Sequence, residues 1–212
     1  YPETHGTMIW GELKSVSDRI LNPYDISEEY RNILHFDIFP YWEKRNIREW
    51  VRTKHNNPLC QQLDERFAVY FLWKTVAVSH TIADFPKLLR LGIHGIIKEI
   101  QLEIRKLSEN ELSQKDTLQA MTLCLSSVAL YAKHLADESV KLAEKEFNLT
   151  RKEELLQIAK ICNKVPFSPA ETLQEALTSI WIFWTALHIE NTNAGLSLGR
   201  MDQWLQPYFD YE

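Results

Sequence analysis

Apolar residues recur at helical spacing after Asp84. The Asp84 side chain is suited to cap a first helical turn, and Pro86 fits that turn because its fixed φ is already helical. The apolar positions that follow, near a 3.6-residue repeat, are Leu88, Leu91, Ile96, Ile100 and Ile104. The pattern predicts a helix that begins after Asp84.

A second, longer stripe runs from about Ser113 to Phe147. Asn148 follows it and is expected to end the helix in a left-handed turn, a conformation that Asn tolerates. The residues of the stripe are Leu118, Met121, Leu125, Val128, Tyr131, Leu135 and Leu142. They predict a helix over about 113–147 with this face turned inward.

Two capping-box patterns then predict the starts of two more helices. Thr150–Glu153 reads Thr-Arg-Lys-Glu and Ser168–Glu171 reads Ser-Pro-Ala-Glu. In such a box the hydroxyl and the carboxylate each accept a backbone N–H that the first turn leaves unpaired. We therefore predict helices over Thr150–Asn163 and Pro169–Ile189.

The last of these helices is apolar on most sides, so other protein is expected to surround it. We expect this chain to expose apolar surface around Trp181 and Trp184 for that reason. The apolar residues are Leu173, Leu177, Ile180, Trp181, Phe183, Trp184 and Leu187. With only 6 Gly and 8 Pro, the turns that a β-sandwich or barrel needs are scarce. The fold class predicted is all-α, one helical lobe over residues 1–212.

The amino-terminal quarter is less regular and rich in aromatic side chains. Such a cluster either lines a cleft or forms ordinary core packing, and core packing is the more frequent outcome. The aromatic residues are Tyr24, Tyr30, Phe36, Phe39, Tyr41, Trp42 and Trp50.

Composition excludes several classes of function. A net charge of −5 without a Lys/Arg run argues against a nucleic-acid partner. The longest apolar stretch, Ala176–Ile189, is too short and too polar to span a bilayer. Cys60, Cys124 and Cys162 form no Cys-x-x-Cys pair, which argues against a disulfide framework or a metal site and favours a reducing cytoplasm. We expect three half-buried helical thiols. Both ends of the sequence look cut.

Two polar segments stand out as candidate sites. In the first, His80 and Asp84 lie just before the helix; both can contact a substrate, or Asp84 merely caps and His80 is an ordinary structural group. The second, Glu190–Tyr208, follows a buried helix and contains Gly195 and Gly199, which allow close backbone approach. Arg200 and Asp202 are too close in sequence to face one another on a helix, so we expect each to have a partner elsewhere.

At these segments the chain resembles the glycyl radical enzymes of the pyruvate formate-lyase type. The first matching strings are His80 with Asp84, Leu89–Gly92 (Leu-x-x-Gly) and Gly95–Ile100 (Gly-Ile-Ile-x-Glu-Ile). Order and spacing agree from about Phe67 to Tyr208. The later strings are Cys162–Pro166 (Cys-x-x-Val-Pro), Pro169–Leu177 (Pro-Ala-x-Thr-x-x-Glu-Ala-Leu) and Ser197–Tyr208 (Ser-x-Gly-Arg-x-Asp-Gln-x-Leu-x-Pro-Tyr).

The resemblance implies that this chain is a helical lobe from the amino-terminal half of a longer enzyme, packed around an α/β barrel. It implies a glycyl radical in a carboxyl-terminal part, installed by a radical S-adenosylmethionine activating enzyme, and a catalytic Cys on a central loop. Neither motif occurs here, so we assign no catalytic residue, no metal and no bound cofactor to this chain, and we expect it to be inactive alone. The parent would be cytoplasmic and oxygen-sensitive, a homodimer acting on a small organic molecule as a lyase, decarboxylase, dehydratase or formate acetyltransferase.

By the same resemblance, His80, Asp84 and Ser197 form substrate hydrogen bonds, and Gly199, Arg200, Asp202 and Gln203 form a structural motif. We expect the three substrate residues to converge on one face. The sequence departs from the family at Ser79, where Gly is frequent, and at Gly195, where some relatives have Ser. These departures count against recognition of a glycerol-type hydroxyl.

Two other functional classes compete with this interpretation. A stand-alone helical scaffold or regulatory module would have no chemistry, but it should complete its own core, which the over-apolar helix around Trp181 argues against. A di-iron helical bundle needs paired Glu-x-x-His motifs on facing helices, and the sequence has none.

Overall fold

The computed structural model describes residues 10–11, 13–21, 23–55, 57–66, 81–190 and 195–209, and within them the chain is helical. A 3-10 turn, Val16–Asp18, precedes the helix Glu28–Ile33, and a π-helical turn, Leu34–Ile38, follows that helix. The helices are α1 Glu28–Ile33, α2 Phe39–Trp42, α3 Ile47–His55, α4 Pro58–Glu65, α5 Phe85–Lys106, α6 Leu112–Lys145, α7 Leu149–Lys164, α8 Leu173–Glu190, α9 Met201–Trp204 and α10 Gln206–Phe209.

The strands within the described ranges are two residues long. They are β1, Thr81–Ile82, and β2, Leu196–Ser197, and they pair in a two-stranded sheet. The all-α prediction is therefore confirmed, and so is the presence of all four predicted long helices.

Helix α5 begins where the sequence predicts. Asp84 is its N-cap: the carboxylate oxygen Oδ1 accepts the backbone N–H of Lys87 at 3.0 Å, and Pro86 lies in the first turn. The buried residues of the whole helix are Phe85, Leu88, Leu89, Gly92 and Ile93. The helix is interrupted at Gly92, which has φ 63° and ψ 170°, so α5 is two helical segments joined at a kink.

Helices α6 and α7 pack along each other, and α5 packs on α6. The face of α6 that becomes buried carries small residues: Ala132, Ala136, Ser139 and Ala143. The predicted stripe of larger side chains is only partly buried, and Met121 and Leu142 are about half exposed. Small side chains allow the two helix backbones to approach closely, and a count of large apolar residues does not reveal that contact.

The predicted capping residues of α7 and α8 are wrong. Asn148 does not end α6 in a left-handed turn; its φ is −77°, and its side chain caps α7 by accepting the N–H of Arg151 at 3.0 Å. Thr150 therefore lies inside the first turn of α7. The next helix begins at Leu173, four residues after Pro169, and the Thr172 hydroxyl accepts the N–H of Glu175 at 3.2 Å.

The chain divides into two compact units, Tyr1–Thr81 with Leu187–Leu196 and Ile82–Ala186 with Ser197–Glu212. The expectation of a single lobe over 1–212 stays a prediction.

In the first unit, the Trp10 indole stacks on Phe39 and donates its N–H to Nδ1 of His35 at 2.8 Å. Core packing is the wrong interpretation for most of the aromatic cluster, since these side chains are more than half exposed: Tyr24, Tyr30, Phe36, Tyr41 and Trp50.

The second unit contains the main hydrophobic core. Phe85, Leu89, Ile93 and Val165 lie at its centre, where α5 meets the turn after α7. The expected exposed apolar surface on α8 is present: the Trp181 side chain is 66% exposed and stacks on Trp184 with ring centroids 5.8 Å apart.

The three thiols differ from expectation. Cys60 and Cys124 are exposed, whereas Cys162 is buried in α7 and burial raises the pKa of its thiol.

In the part of the chain that is described, no helix is both long and apolar enough to cross a membrane. The same ranges hold no cluster of three or more His, Cys, Asp or Glu side chains that could bind a metal ion.

Candidate functional site

The kink in α5 is held by the turn that follows α7. The backbone N–H of Ile93 donates to the carbonyl of Pro166 at 2.8 Å, and the N–H of His94 donates to the carbonyl of Phe167 at 3.0 Å. The N–H of Ala170 returns a bond to the carbonyl of Leu89 at 3.0 Å. These three bonds replace helical bonds that the kink removes, so the break is part of the packed core.

Only glycine fits at the centre of this contact. A Cβ on Gly92 would lie 2.5 Å from the Phe167 carbonyl oxygen and 2.6 Å from the Ser168 carbonyl carbon. Its φ of 63° is also one that residues with a side chain rarely adopt. The Leu-x-x-Gly and Cys-x-x-Val-Pro strings are therefore two sides of one backbone contact.

Asp84 lies at the start of the helix segment that this contact holds. Its side chain is exposed, and one carboxylate oxygen accepts the Lys87 N–H. The residues on either side of it are packed inward: Phe85 is fully buried, and Ala83 packs on the same core cluster. The helix cap fixes the direction of the carboxylate while leaving it accessible to solvent.

Ser197 lies on β2 with an exposed side chain, and its hydroxyl oxygen accepts the backbone N–H of Gly199 at 3.1 Å. Gly199 has φ 74°, and a Cβ there would lie 3.2 Å from Cγ2 of Ile82, the second residue of β1. The turn after β2 therefore approaches the strand that leads to Asp84. Because its oxygen already accepts a bond, the Ser197 hydroxyl can donate its proton to a further acceptor.

The expectation that Arg200 and Asp202 each have a distant partner is wrong. Arg200 Nη2 lies 2.8 Å from Asp202 Oδ2, and Nε lies 3.0 Å from Oδ1, so the pair is bidentate. Arg200 is the N-cap of α9 rather than a helical residue, with φ −83° and ψ 68°, and this backbone turns the two side chains together. The hydrogen bonds that Arg200 donates to Asp202 lower the pKa of Asp202 and raise the pKa of Arg200.

The structure brings together the segments of two of the three candidate substrate residues. The pairing of β1 with β2 places the approach to Asp84 beside Ser197. Gln203 contributes its backbone N–H, which donates to the Arg200 carbonyl at 3.0 Å in the turn that opens α9. His80 lies outside the described residues. Convergence of all three side chains on one face stays a prediction.

An ion cluster that no sequence pattern indicated joins α7 to α8. The Lys164 ammonium donates to Glu171 Oε2 at 2.6 Å and to both Glu175 oxygens at 2.8 Å. Burial acts to raise the pKa of Glu175, but the bonds from Lys164 and from the Glu171 backbone N–H outweigh it and lower that pKa. Hydrogen bonds to Glu171 and Glu175 raise the pKa of Lys164. Lys164 ends α7 and α8 begins at Leu173, so the cluster spans a non-helical stretch to which helical spacing does not apply.

An apolar groove lies elsewhere in the second unit, between α6, α7 and α8. Its volume is about 480 Å³, Cys162 lies in its wall, and Trp181 forms one edge. Its lining is mostly apolar, and the polar residues in it are Glu138, Ser139 and Thr178.

Comparison with known proteins gives a consistent result. The pyruvate formate lyase-like family model matches residues 1–212. An isethionate sulfite-lyase of Nitratidesulfovibrio vulgaris is 28% identical over 99% of this chain. The B12-independent glycerol dehydratase from Clostridium butyricum is 26% identical with a TM-score of 0.84, and a glycyl radical enzyme from Archaeoglobus fulgidus is 32% identical with a TM-score of 0.80, both over 100% of this chain. The chain spans 27% of the length of each of these three proteins.

Proposed function

We propose, from the premise that the chain belongs to the pyruvate formate lyase-like family, that it forms part of the substrate pocket of a glycyl radical enzyme. The parent enzyme would act on a small organic substrate by hydrogen-atom abstraction, as a carbon–carbon lyase, a decarboxylase or a dehydratase. The relatives include a sulfite-lyase and a dehydratase, which supports a bond-cleaving reaction on a small polar molecule.

The observation that carries this proposal is the pairing of β1 with β2. It places two exposed polar side chains, Asp84 and Ser197, at the ends of packed elements rather than in the middle of helices. Rigid elements with polar groups at their ends provide the fixed donors and acceptors that a small polar substrate needs.

The two side chains have complementary roles in this proposal. The Asp84 carboxylate accepts a hydrogen bond from a substrate hydroxyl, and the Ser197 hydroxyl donates one to a substrate oxygen. His80 supplies a third polar contact. The radical supplies the hydrogen-atom abstraction from another part of the enzyme, whereas the residues of this chain bind and orient the substrate.

The wider setting is proposed by the same family membership. The enzyme would be a cytoplasmic homodimer that depends on a radical S-adenosylmethionine activating enzyme. The chain described here would pack against the remainder of its own polypeptide through the surface around Trp181. By itself it would be catalytically inactive.

Replacing Asp84 with Asn tests the substrate role. Asn caps a helix about as well as Asp, so Asp84→Asn should leave the melting temperature unchanged while removing the negative charge. We expect turnover in the natural polypeptide that carries this chain to fall by roughly tenfold or more, because a hydrogen bond to a charged group contributes about 1.5–3 kcal/mol. Isethionate and glycerol are the first substrates to assay.

The matched control is the reverse exchange at another cap. Asn148 caps α7, so Asn148→Asp alters charge at a helix start outside the proposed pocket. It should change neither turnover nor stability. Turnover by Asp84→Asn equal to that of the parent would reject the substrate role and leave Asp84 as a helix cap only.

A further inference from the structure

The two candidate segments share one hydrophobic anchor. Ala83 precedes Asp84 and Leu198 follows Ser197, and both pack on the cluster that contains the fully buried Phe85. The exposed polar side chains thus alternate with inward-facing apolar neighbours on both segments. The positions of Asp84 and Ser197 depend on how those neighbours pack.

In addition to the pairing of β1 with β2, a ring contact joins the segments. The Phe85 ring stacks on the Trp204 indole with centroids 6.1 Å apart and an angle of 23° between the ring planes. Phe85 is the residue after Asp84, and Trp204 is the last residue of α9, which begins after the Arg200 turn. Leu205, next to Trp204, is buried in the same cluster.

Two backbone amides report the orientation of the candidate side chains. The Lys87 N–H donates to Asp84, and the Gly199 N–H donates to Ser197. Movement of either side chain breaks one of these bonds and exposes the corresponding amide to solvent exchange. The Ile93 N–H, bonded to the Pro166 carbonyl, reports instead on the kink in α5.

We propose that Phe85 and Trp204 are a positioning pair whose stacked rings hold the Asp84 segment and the Ser197 segment in one fixed relation. The pair acts through its neighbours and touches no substrate. This inference rests on the proposed function for its catalytic meaning, since it concerns the placement of the same two side chains.

Amide hydrogen exchange in the natural polypeptide that carries this chain tests the proposal. Trp204→Leu keeps an apolar side chain and removes the ring, whereas Trp204→Phe keeps a ring that can still stack on Phe85. An aromatic pair contributes about 0.5–1.5 kcal/mol, which corresponds to roughly a two- to tenfold change in local opening. We expect Trp204→Leu to raise exchange at both Lys87 and Gly199 by that factor, and Trp204→Phe to restore it.

Two controls separate positioning from general stability. Exchange at Ile93 should stay at the parent value in Trp204→Leu, because the kink is held by bonds that do not involve the stack. Trp181→Leu, at an indole that stacks on Trp184 and has no part in the Phe85–Trp204 pair, should leave exchange at Lys87 and Gly199 unchanged. Phe85→Leu provides a second route to the same result and should also raise both amides together.

Several outcomes would overturn the proposal. Exchange that rises at Gly199 and not at Lys87 would show that the segments are independent. An equal rise at the amides of Lys87, Gly199 and Ile93 would show that the pair contributes to overall stability only. The same conclusion would follow if Trp204→Phe failed to restore the protection of Lys87 and Gly199. None of these exchange measurements needs a substrate. If the turnover of Asp84→Asn rejects the proposed function, the exchange data can therefore still show coupling between the two segments.

Discussion

Replacement of Gly92 by alanine is expected to break the contact between α5 and the turn after α7. The new Cβ would lie 2.5 Å from the Phe167 carbonyl oxygen, 2.6 Å from the Ser168 carbonyl carbon and 2.9 Å from the Pro169 nitrogen. All three are backbone atoms, so no side-chain rotation relieves the overlap. One of the two chain segments has to move.

The cost has two parts. A residue with a side chain at φ 63° and ψ 170° is strained by about 1–3 kcal/mol, and forcing an extra methyl group into a packed core costs about 1–3 kcal/mol more. We therefore expect Gly92→Ala to destabilise the fold by about 2–6 kcal/mol. Movement of the turn would also weaken the bonds that the Ile93 and His94 amides donate, so their hydrogen exchange should accelerate.

The assay combines calorimetric melting with amide exchange on the natural polypeptide that carries this chain. Gly11→Ala is the matched control, because a Cβ on Gly11 meets nothing within 4 Å. It should change stability by less than about 0.5 kcal/mol. A Gly92→Ala protein with the parent's melting temperature and unchanged protection at Ile93 would refute the steric argument.

Two further predictions concern α7 and α8. Because the pKa of Glu175 is lowered from 4.5, its ionised form stabilises the fold above that value, and this stabilisation is lost as the pH falls through the folded-state pKa. Glu175→Gln should therefore lower the free energy of unfolding by about 1.5–3 kcal/mol at pH 7, and this difference from the parent should shrink in acid. Urea unfolding at several pH values would measure it. An equal difference at all pH values would contradict this account. Asn148→Ala should destabilise the fold by about 0.5–2 kcal/mol and Thr150→Ala by much less, which thermal melting would measure. A larger loss of stability in Thr150→Ala would identify Thr150 as the cap of α7.

The sequence predicts those features that depend on neighbouring residues. The cap at Asp84 is a local property of Asp followed by Phe-Pro, and it is observed as predicted. The exposed Trp181 also follows from local pattern, because a helix that is apolar on most sides has more apolar surface than this chain can cover. The all-α class follows from the same periodicities.

The failures arise where distant segments decide the outcome. Ser168–Glu171 satisfies the capping-box pattern, but the Ala170 N–H is already bonded to the Leu89 carbonyl, and the helix begins only after Thr172. Asn148 and Thr150 are both residue types that cap helices well, and in the structure Asn148 is the cap of α7. The Arg200–Asp202 pair was missed because helical spacing was applied to a residue whose backbone is not helical.

Three of the strings that resemble the glycyl radical enzymes contact one another in the fold. Gly92 ends the Leu-x-x-Gly string, and its backbone lies against Phe167, between the Val-Pro string and the Pro-Ala string. The N–H of Ala170 in the Pro-Ala string bonds back to Leu89 in the first. The first string ends 70 positions before the second begins, and the third follows the second closely, yet all three describe one backbone junction rather than three sites. That junction holds the helix that begins at Asp84, so the family pattern in this part of the chain describes the packing that supports the Asp84 segment.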